Sequence, residues 1–240
     1  MSAAYWEGIV TMICINYHGH ACFSLETDGL NLLTDPFISE NPLATIKPES
    51  LNPDYILLSH GHPDHVGDVI EIAKRCDAVV IAPFELVQFC LRRGVKKTIA
   101  MNIGGSYNAS SFSLKMTIAH HSSAYITDSD IIYTGSPCGY LITLQGKTIY
   151  FAGDTALFKD MSTIATNPIH LALLPIGDRF TMGVEDARRA VEMLQPDLVI
   201  PMHYNTWEVI NQDPEKFVAS IADLGCRGVV LGIEERLMLS

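Results

Sequence analysis

Short apolar runs bounded by turn residues come in two rounds, and each round passes from turn-linked strands to strands alternating with amphipathic helices. In the first round, Met12 to Tyr17, Ala21 to Glu26 and Leu30 to Thr34 predict three strands, the last two joined at Asp28-Gly29, a type I′ hairpin signal. Asn52-Pro53 then punctuates the chain before a buried strand over Tyr55 to Leu58. Apolar residues at Val66, Val69, Ile70 and Ala73 have helical spacing and predict a helix over Val66 to Arg75. Ala78 to Ile81 predicts a strand, and a further helix starts at Pro83 and ends at Gly94.

The second round predicts strands over Phe112 to Ala119, Gly139 to Leu144 and, after the Gln145-Gly146 turn, Lys147 to Phe151. Helices over Leu157 to Ala165, Glu185 to Leu194 and Glu215 to Leu224 alternate with strands over Leu171 to Leu174, Asp197 to Pro201 and Val229-Val230. Two such rounds predict two sheets packed face to face with helices outside. The eleven residues before Met12 carry no period and read as an extension or the product of an upstream start codon. Gly104-Gly105 reads as a turn, since no helix start with a Lys follows it.

Composition narrows the partners. At 240 residues and 48% hydrophobic, the chain can bury one sizeable core, and a single domain over 1–240 is the expectation. Only 16 Lys and Arg stand against 27 acidic residues, a formal net charge of −11, which argues against nucleic acid and suits a small-molecule substrate. The six cysteines are scattered without a C-x-x-C pair and read as buried thiols in a reducing compartment. No apolar stretch approaches membrane-spanning length, and the N-terminus lacks the basic-then-apolar order of a secretory signal. A cytoplasmic homo-oligomer is expected, with no membrane partner.

His60-Gly61-His62-Pro63-Asp64-His65 places four metal-binding side chains within six residues at the end of a predicted strand. Gly61 and Pro63 oppose a helix, and in an extended turn His60 and His62 converge on one ion while Asp64 and His65 face a second. A two-metal site needs more ligands, and three further groups stand at strand ends: His120-His121, Gly153-Asp154-Thr155 and Pro201-Met202-His203.

In this order, H-x-H-x-D-H, a later His, a Gly-Asp and a late His resemble the metallo-β-lactamase superfamily. Gly19-His20-Ala21-Cys22-Phe23, Asp35-Pro36-Phe37, Ala119-His120-His121-Ser122-Ser123, Leu174-Pro175-Ile176-Gly177-Asp178 and Pro201-Met202-His203-Tyr204-Asn205 resemble its branch of metal-dependent hydrolases similar to the L-ascorbate-6-phosphate lactonases. The resemblance runs from about Met12 to the C-terminus. It implies a four-layer αββα sandwich and two divalent ions, Zn2+ first, with Mn2+ or Fe2+ as alternatives. It also implies His60, His62 and His121 on one metal, Asp64, His65 and His203 on the other, and Asp154 bridging them. The expected chemistry is attack by a hydroxide shared between the metals on a small ester, lactone or phosphoester, with Asp64 relaying a proton.

The family pattern Ala-x-His-Ser-Ser selects His121 over His120, and adjacent strand residues point to opposite sides, so only one can reach the metal. His20 is expected to line the pocket as an oxyanion or substrate contact, with a structural role weighed equally. Asp35 is expected to accept a hydrogen bond from a ligand imidazole. His170 reads as structural, and His18 sits at a variable position of the pattern. For Asp178, Tyr204 and Asn205, substrate contact and loop support both stay open. The rivals are a phosphodiesterase or nuclease acting on nucleic acid, and a metal-binding module without hydrolysis. An antibiotic-cleaving lactamase is disfavoured by Asp154, where the best-known ones commonly carry Cys. A glutathione thiolesterase is disfavoured because its C-terminal extension is not recognisable.

Overall fold

The computed structural model describes residues 12–164 and 167–240, so the expected N-terminal extension before Met12 and the end of the expected helix at Ala165 lie outside the described residues. In the first half, β1 (Ile13–Gly19), β2 (Cys22–Thr27), β3 (Leu30–Thr34) and β4 (Tyr55–Leu57) lead into α1 (Pro63–Val66) and α2 (Val69–Cys76). Next come β5 (Val79–Pro83), α3 (Phe84–Arg92) and β6 (Thr98–Met101). The second half opens with β7 (Ser106–Asn108), β8 (Phe112–Ile118), β9 (Ala124–Ile126), β10 (Ile131–Tyr133), β11 (Cys138–Leu144) and β12 (Lys147–Phe151). It continues through β13 (Leu171–Pro175), α4 (Val184–Leu194), β14 (Leu198–Met202), α5 (Pro214–Ser220), β15 (Arg227–Gly228) and β16 (Arg236–Leu239).

Two seven-stranded sheets result, β16-β1-β2-β3-β4-β5-β6 and β15-β14-β13-β12-β11-β8-β7. Each is antiparallel over one half and parallel over the other: β3 pairs β4 in parallel, as β12 pairs β13. Period-two alternation then assigns each strand's two faces. Leu57, Ile81, Phe151, Leu173 and Ile200 point into a core shared by the two sheets. Their neighbours Ile56, Leu58, Val80 and Ala82 pack outward with Ile72, Leu86 and Phe89 of α2 and α3. On the other side Tyr150, Ala152, Leu174 and Val199 pack outward with Val191, Leu194 and Phe217 of α4 and α5. The architecture is the expected αββα sandwich.

Several local expectations need correction. The helix expected from Val66 begins at Pro63 and breaks after one turn, because Gly67 takes φ +39° and a Cβ there would lie 2.3 Å from the Pro36 carbonyl oxygen. Asp64 and His65 therefore sit on a helical turn, whereas His62, the residue before it, is extended as expected (φ −66°, ψ 147°). Of Asp28 and Gly29 only the glycine takes positive φ, so the mirror-image turn forms instead at Gln145-Gly146, with φ of 50° and 74°. Over Leu157 to Ala165 the described helical part is a 3-10 segment, Lys159–Thr163. The last helix is shorter than expected, the strand near Val229 falls at Arg227–Gly228, and β16 was not foreseen.

The sheets are also tied by polar bonds. The Tyr140 hydroxyl on β11 donates to the Leu58 carbonyl at 2.8 Å, and the Cys138 amide donates to the Ser59 carbonyl at 3.0 Å. Both acceptors immediately precede His60, so the second sheet holds the backbone of the histidine loop. Replacing Tyr140 with Phe leaves a buried carbonyl short of its donor and should cost about 1–2 kcal/mol. Urea unfolding of Tyr140→Phe should show a lower midpoint at unchanged m-value; an unshifted midpoint would mean the bond contributes nothing to the sheet junction.

Candidate metal centre

The open edge between the sheets receives strand ends from both halves. Asp35 follows β3, His60 to His65 follow β4, His121 follows β8, Asp154 follows β12 and His203 follows β14. Glycines let these loops approach. A Cβ on Gly61 would fall 2.0 Å from the Thr134 hydroxyl, and Gly153 (φ +59°) passes so close to β11 that a Cβ would fall 2.6 Å from the Cys138 carbonyl oxygen. The β9–β10 hairpin clamps the histidine loop at its base: Ser123 and Thr134 hydroxyls bond at 2.8 Å, and Ser123 accepts from the Gly61 amide at 3.2 Å.

Two sets of donors form. In one, His62 Nδ1 lies 2.9 Å from His60 Nε2 and 3.3 Å from His121 Nε2. Corners of a zinc tetrahedron with bonds of about 2.0–2.1 Å stand roughly 3.3 Å apart, so the spacing suits one ion. In the other, Asp64, His65 and His203 face each other, with Asp64 Oδ2 3.9 Å from both His65 Nε2 and His203 Nε2. Asp154 Oδ2 stands between the sets, 2.9 Å from His203 Nε2, 3.4 Å from His65 Nε2 and 3.6 Å from His121 Nε2. His65 Nε2, His203 Nε2 and Asp154 Oδ1 are buried without a hydrogen-bond partner. Buried polar atoms are rarely left so, and these point into the cluster, which suits cation binding. The cluster is thus able to bind metal.

Electrostatics favours the same occupant. Burial pushes the His60, His62 and His121 imidazoles below their ordinary range, leaving lone pairs available at neutral pH. Burial also works against charge on His65, yet the Asp154 and Asp35 carboxylates carry it well above its usual value. For Asp154 burial is outweighed by His203 and His65, which hold the carboxyl well below the usual range. Asp64 behaves likewise, held down against burial by the His20 hydrogen bond and the His65 charge.

Around these donors sits a supporting layer. Asp35 is fully buried, accepts from His65 Nδ1 at 2.7 Å, and takes both the amide (2.8 Å) and the hydroxyl (2.5 Å) of Ser59. Having spent its proton on Asp35, the Ser59 hydroxyl accepts from His60 Nδ1 at 2.9 Å. One carboxylate therefore orients imidazoles of both sets. Burial and the nearby His203 push His20 down to about 3, so it is neutral. Its Nε2–H donates to Asp64 at 3.1 Å, and its Nδ1 accepts from the Thr206 hydroxyl at 2.8 Å.

The expectation that His20 lines the pocket is corrected: its side chain has no exposed surface and lies beneath Asp64. His121 enters the cluster, while His120 is exposed, stacked on Phe158 at 4.8 Å. His18, bonded to Glu234 and Ser24, and His170, accepting from the Thr148 amide, lie in structural networks. Tyr204 packs in the outer core, Asn205 accepts from the Gln212 amide, Asp178 closes a turn through its backbone, and none of the three lines the cleft. Ser59, Thr206, Ser122 and Phe180 were missed. Only Ser59 and Ser122 carried a signal, as hydroxyls flanking metal-type histidines.

The cluster opens into a cleft of about 330 Å3 lined by His62, Asp64, His121, Asp154 and His203, with Ser122 and Phe180 at its wall. Comparison with known proteins then places the chain in a family. The Beta-lactamase superfamily domain matches residues 14–203. A UPF0173 metal-dependent hydrolase from Bacillus cytotoxicus is 51% identical over 94% of this chain and 99% of its own. Igni18, a metallo hydrolase from the archaeon Ignicoccus hospitalis, is 34% identical with a TM-score of 0.87, covering 95% of this chain and 99% of its own. An isothiocyanate hydrolase from Delia radicum gut bacteria shares the fold at 18% identity and a TM-score of 0.72, covering 93% and 98% of the two chains. The chain belongs to the metallo-β-lactamase superfamily and is one of its metal-dependent hydrolases.

Proposed function

We propose that the protein is a binuclear hydrolase of a small ester, lactone or phosphoester. The observation that carries this reading is the position of Asp154 Oδ2, within 3.6 Å of His121 in one donor set and nearer still to His65 and His203 in the other. His60, His62 and His121 would hold one divalent cation; Asp64, His65 and His203 would hold the second, with Asp154 shared. Imidazole-rich donors suit zinc, and the carboxylates of the second set also suit manganese or iron. When bound, such ions supply an activated water at neutral pH and polarise the scissile oxygen.

The protein's own residues do the rest. Asp64, a quarter exposed where Asp154 is buried, is the carboxylate that can exchange a proton with the cleft. His20 holds one oxygen of Asp64, and Thr206 fixes the His20 tautomer that donates. Asp35 keeps Nε2 of His65 turned inward. A cleft of about 330 Å3 suits a small molecule. The six unpaired cysteines support a reducing compartment such as the cytoplasm. Among the described residues no helix is long and apolar enough to cross a membrane.

Metal analysis of purified variants, with turnover of a panel of lactones, phosphodiesters and thioesters, tests the reading. Asp154→Ala should lose the second metal and nearly all activity while staying folded; retention of two metals per chain would remove the bridge. His121→Ala should strip or weaken the first metal, whereas His120→Ala should keep full metal content and near-normal rates. The reverse pattern would assign the ligand to the wrong neighbour. Thr206→Val should lower kcat by roughly 10–100-fold, the usual scale for a residue supporting metal-site groups. Metal content should hold, and Thr206→Ser should restore the rate; equal rates for the Val and Ser variants would show that the hydroxyl plays no part.

A further inference from the structure

Beyond the groups that face the ions, the cleft offers a substrate very little polar chemistry. Five of its lining residues, His62, Asp64, His121, Asp154 and His203, belong to the donor cluster, and the other two are Ser122 and Phe180. Ser122 Oγ lies 3.3 Å from His62 Nε2, and it can offer the cleft one neutral hydrogen bond. Among the described residues no Lys or Arg lines the cleft, and the chain's net charge of −11 supplies no general attraction for anions.

Phe180 is 54% exposed, although its turn is well anchored. The Asp178 amide donates to the Met182 carbonyl at 3.0 Å, the Thr181 amide to the Asp178 carbonyl at 3.1 Å, and the Met182 amide to the Thr155 carbonyl at 3.0 Å. Thr181 and Met182 are buried, so the turn presents the ring from a fixed base beside the Asp154 loop. An exposed phenyl on an anchored turn gives the wall of the cleft an apolar contact surface. Arg179 precedes it but does not line the cleft.

Resting on the hydrolase reading, we infer that the part of the substrate away from the reacting bond is uncharged and apolar, an aryl or alkyl group seated on Phe180. A second anionic group, such as the distal phosphate of a phosphorylated lactone, finds no cationic side chain there and meets Asp64 instead. The substrate class is therefore a neutral ester or lactone with an apolar substituent.

Hydroxamates separate these possibilities, since one metal-seeking group can carry different substituents. Calorimetric titration of the metal-loaded protein should show benzohydroxamate binding about tenfold more tightly than acetohydroxamate, the scale expected for partly burying a phenyl ring. In Phe180→Ala that preference should fall to about two-fold at unchanged metal content, and Phe180→Leu should keep most of it. The para-carboxylated benzohydroxamate should bind more weakly than the parent. The inference is overturned by equal binding of the first two compounds, by a preference that survives Phe180→Ala, by tighter binding of the carboxylate, or by no binding at all. Hydroxamate preferences as expected with no turnover of any ester, lactone or phosphoester would instead sink the hydrolase reading, whereas turnover of phosphoesters but of no neutral ester or lactone would overturn the inference.

Discussion

Three carboxylates, Asp35, Asp64 and Asp154, converge at one edge of the sandwich, and their only ion-pair partners among the described residues are histidines. Burying that much negative charge is costly unless positive charge beyond that of His65 joins it. No Lys or Arg does so. A cation held by the orphaned atoms of His65, His203 and Asp154 meets the demand, and much of the surrounding architecture serves to keep these groups together. The backbone is held unusually to that end: His20, Asp35 and His203 take positive φ of 56°, 29° and 55°. Strained backbone of this kind survives where neighbours over-determine it, and here the His203 amide donates to the His20 carbonyl at 2.8 Å.

The two halves of the chain share the task unequally but inseparably. His60, His62, Asp64 and His65 come from the first sheet's strand ends, while His121, Asp154 and His203 come from the second's. Neither donor set is complete within one half, because His121 joins the first set and His203 the second. Cross-sheet bonds from Tyr140 to Leu58 and from Cys138 to Ser59 hold the histidine loop before any ion is considered. Cation binding, which favours only the assembled arrangement, therefore adds to the stability of the packed sheets by mass action.

Much of this was legible in the chain because its signals are local. Short apolar runs bounded by turn residues marked the central strands, and H-x-H-x-D-H with Gly153-Asp154 and His203 at later strand ends marked the donors. Features that depend on contacts across the fold were not legible. The break at Gly67 follows from its approach to the Pro36 backbone, and β16 exists because β1 offers it an edge. For His20 the pocket and structural readings stayed balanced, because its partner Thr206 stands 186 positions away. Ser59 stood out only as a hydroxyl beside His60, and its part in linking that imidazole to Asp35 appears only when Asp35 arrives from β3.

The same geometry separates catalysis from recognition. Nearly every polar atom at the cleft floor is committed to the donor cluster or to a neighbour that orients it, and altering any of them disturbs the metal centre. What remains free to vary lies on the turns above, Ser122 beside the hairpin and Phe180 on the Ile176–Gly183 segment. Relatives with the same donors can then act on different substrates by changing those turns, since fold and metal chemistry do not by themselves select a substrate. In this chain that wall carries a phenyl ring rather than a charge, so under the proposed reading the apolar body of a substrate sits there and polar recognition is left to the centre beneath.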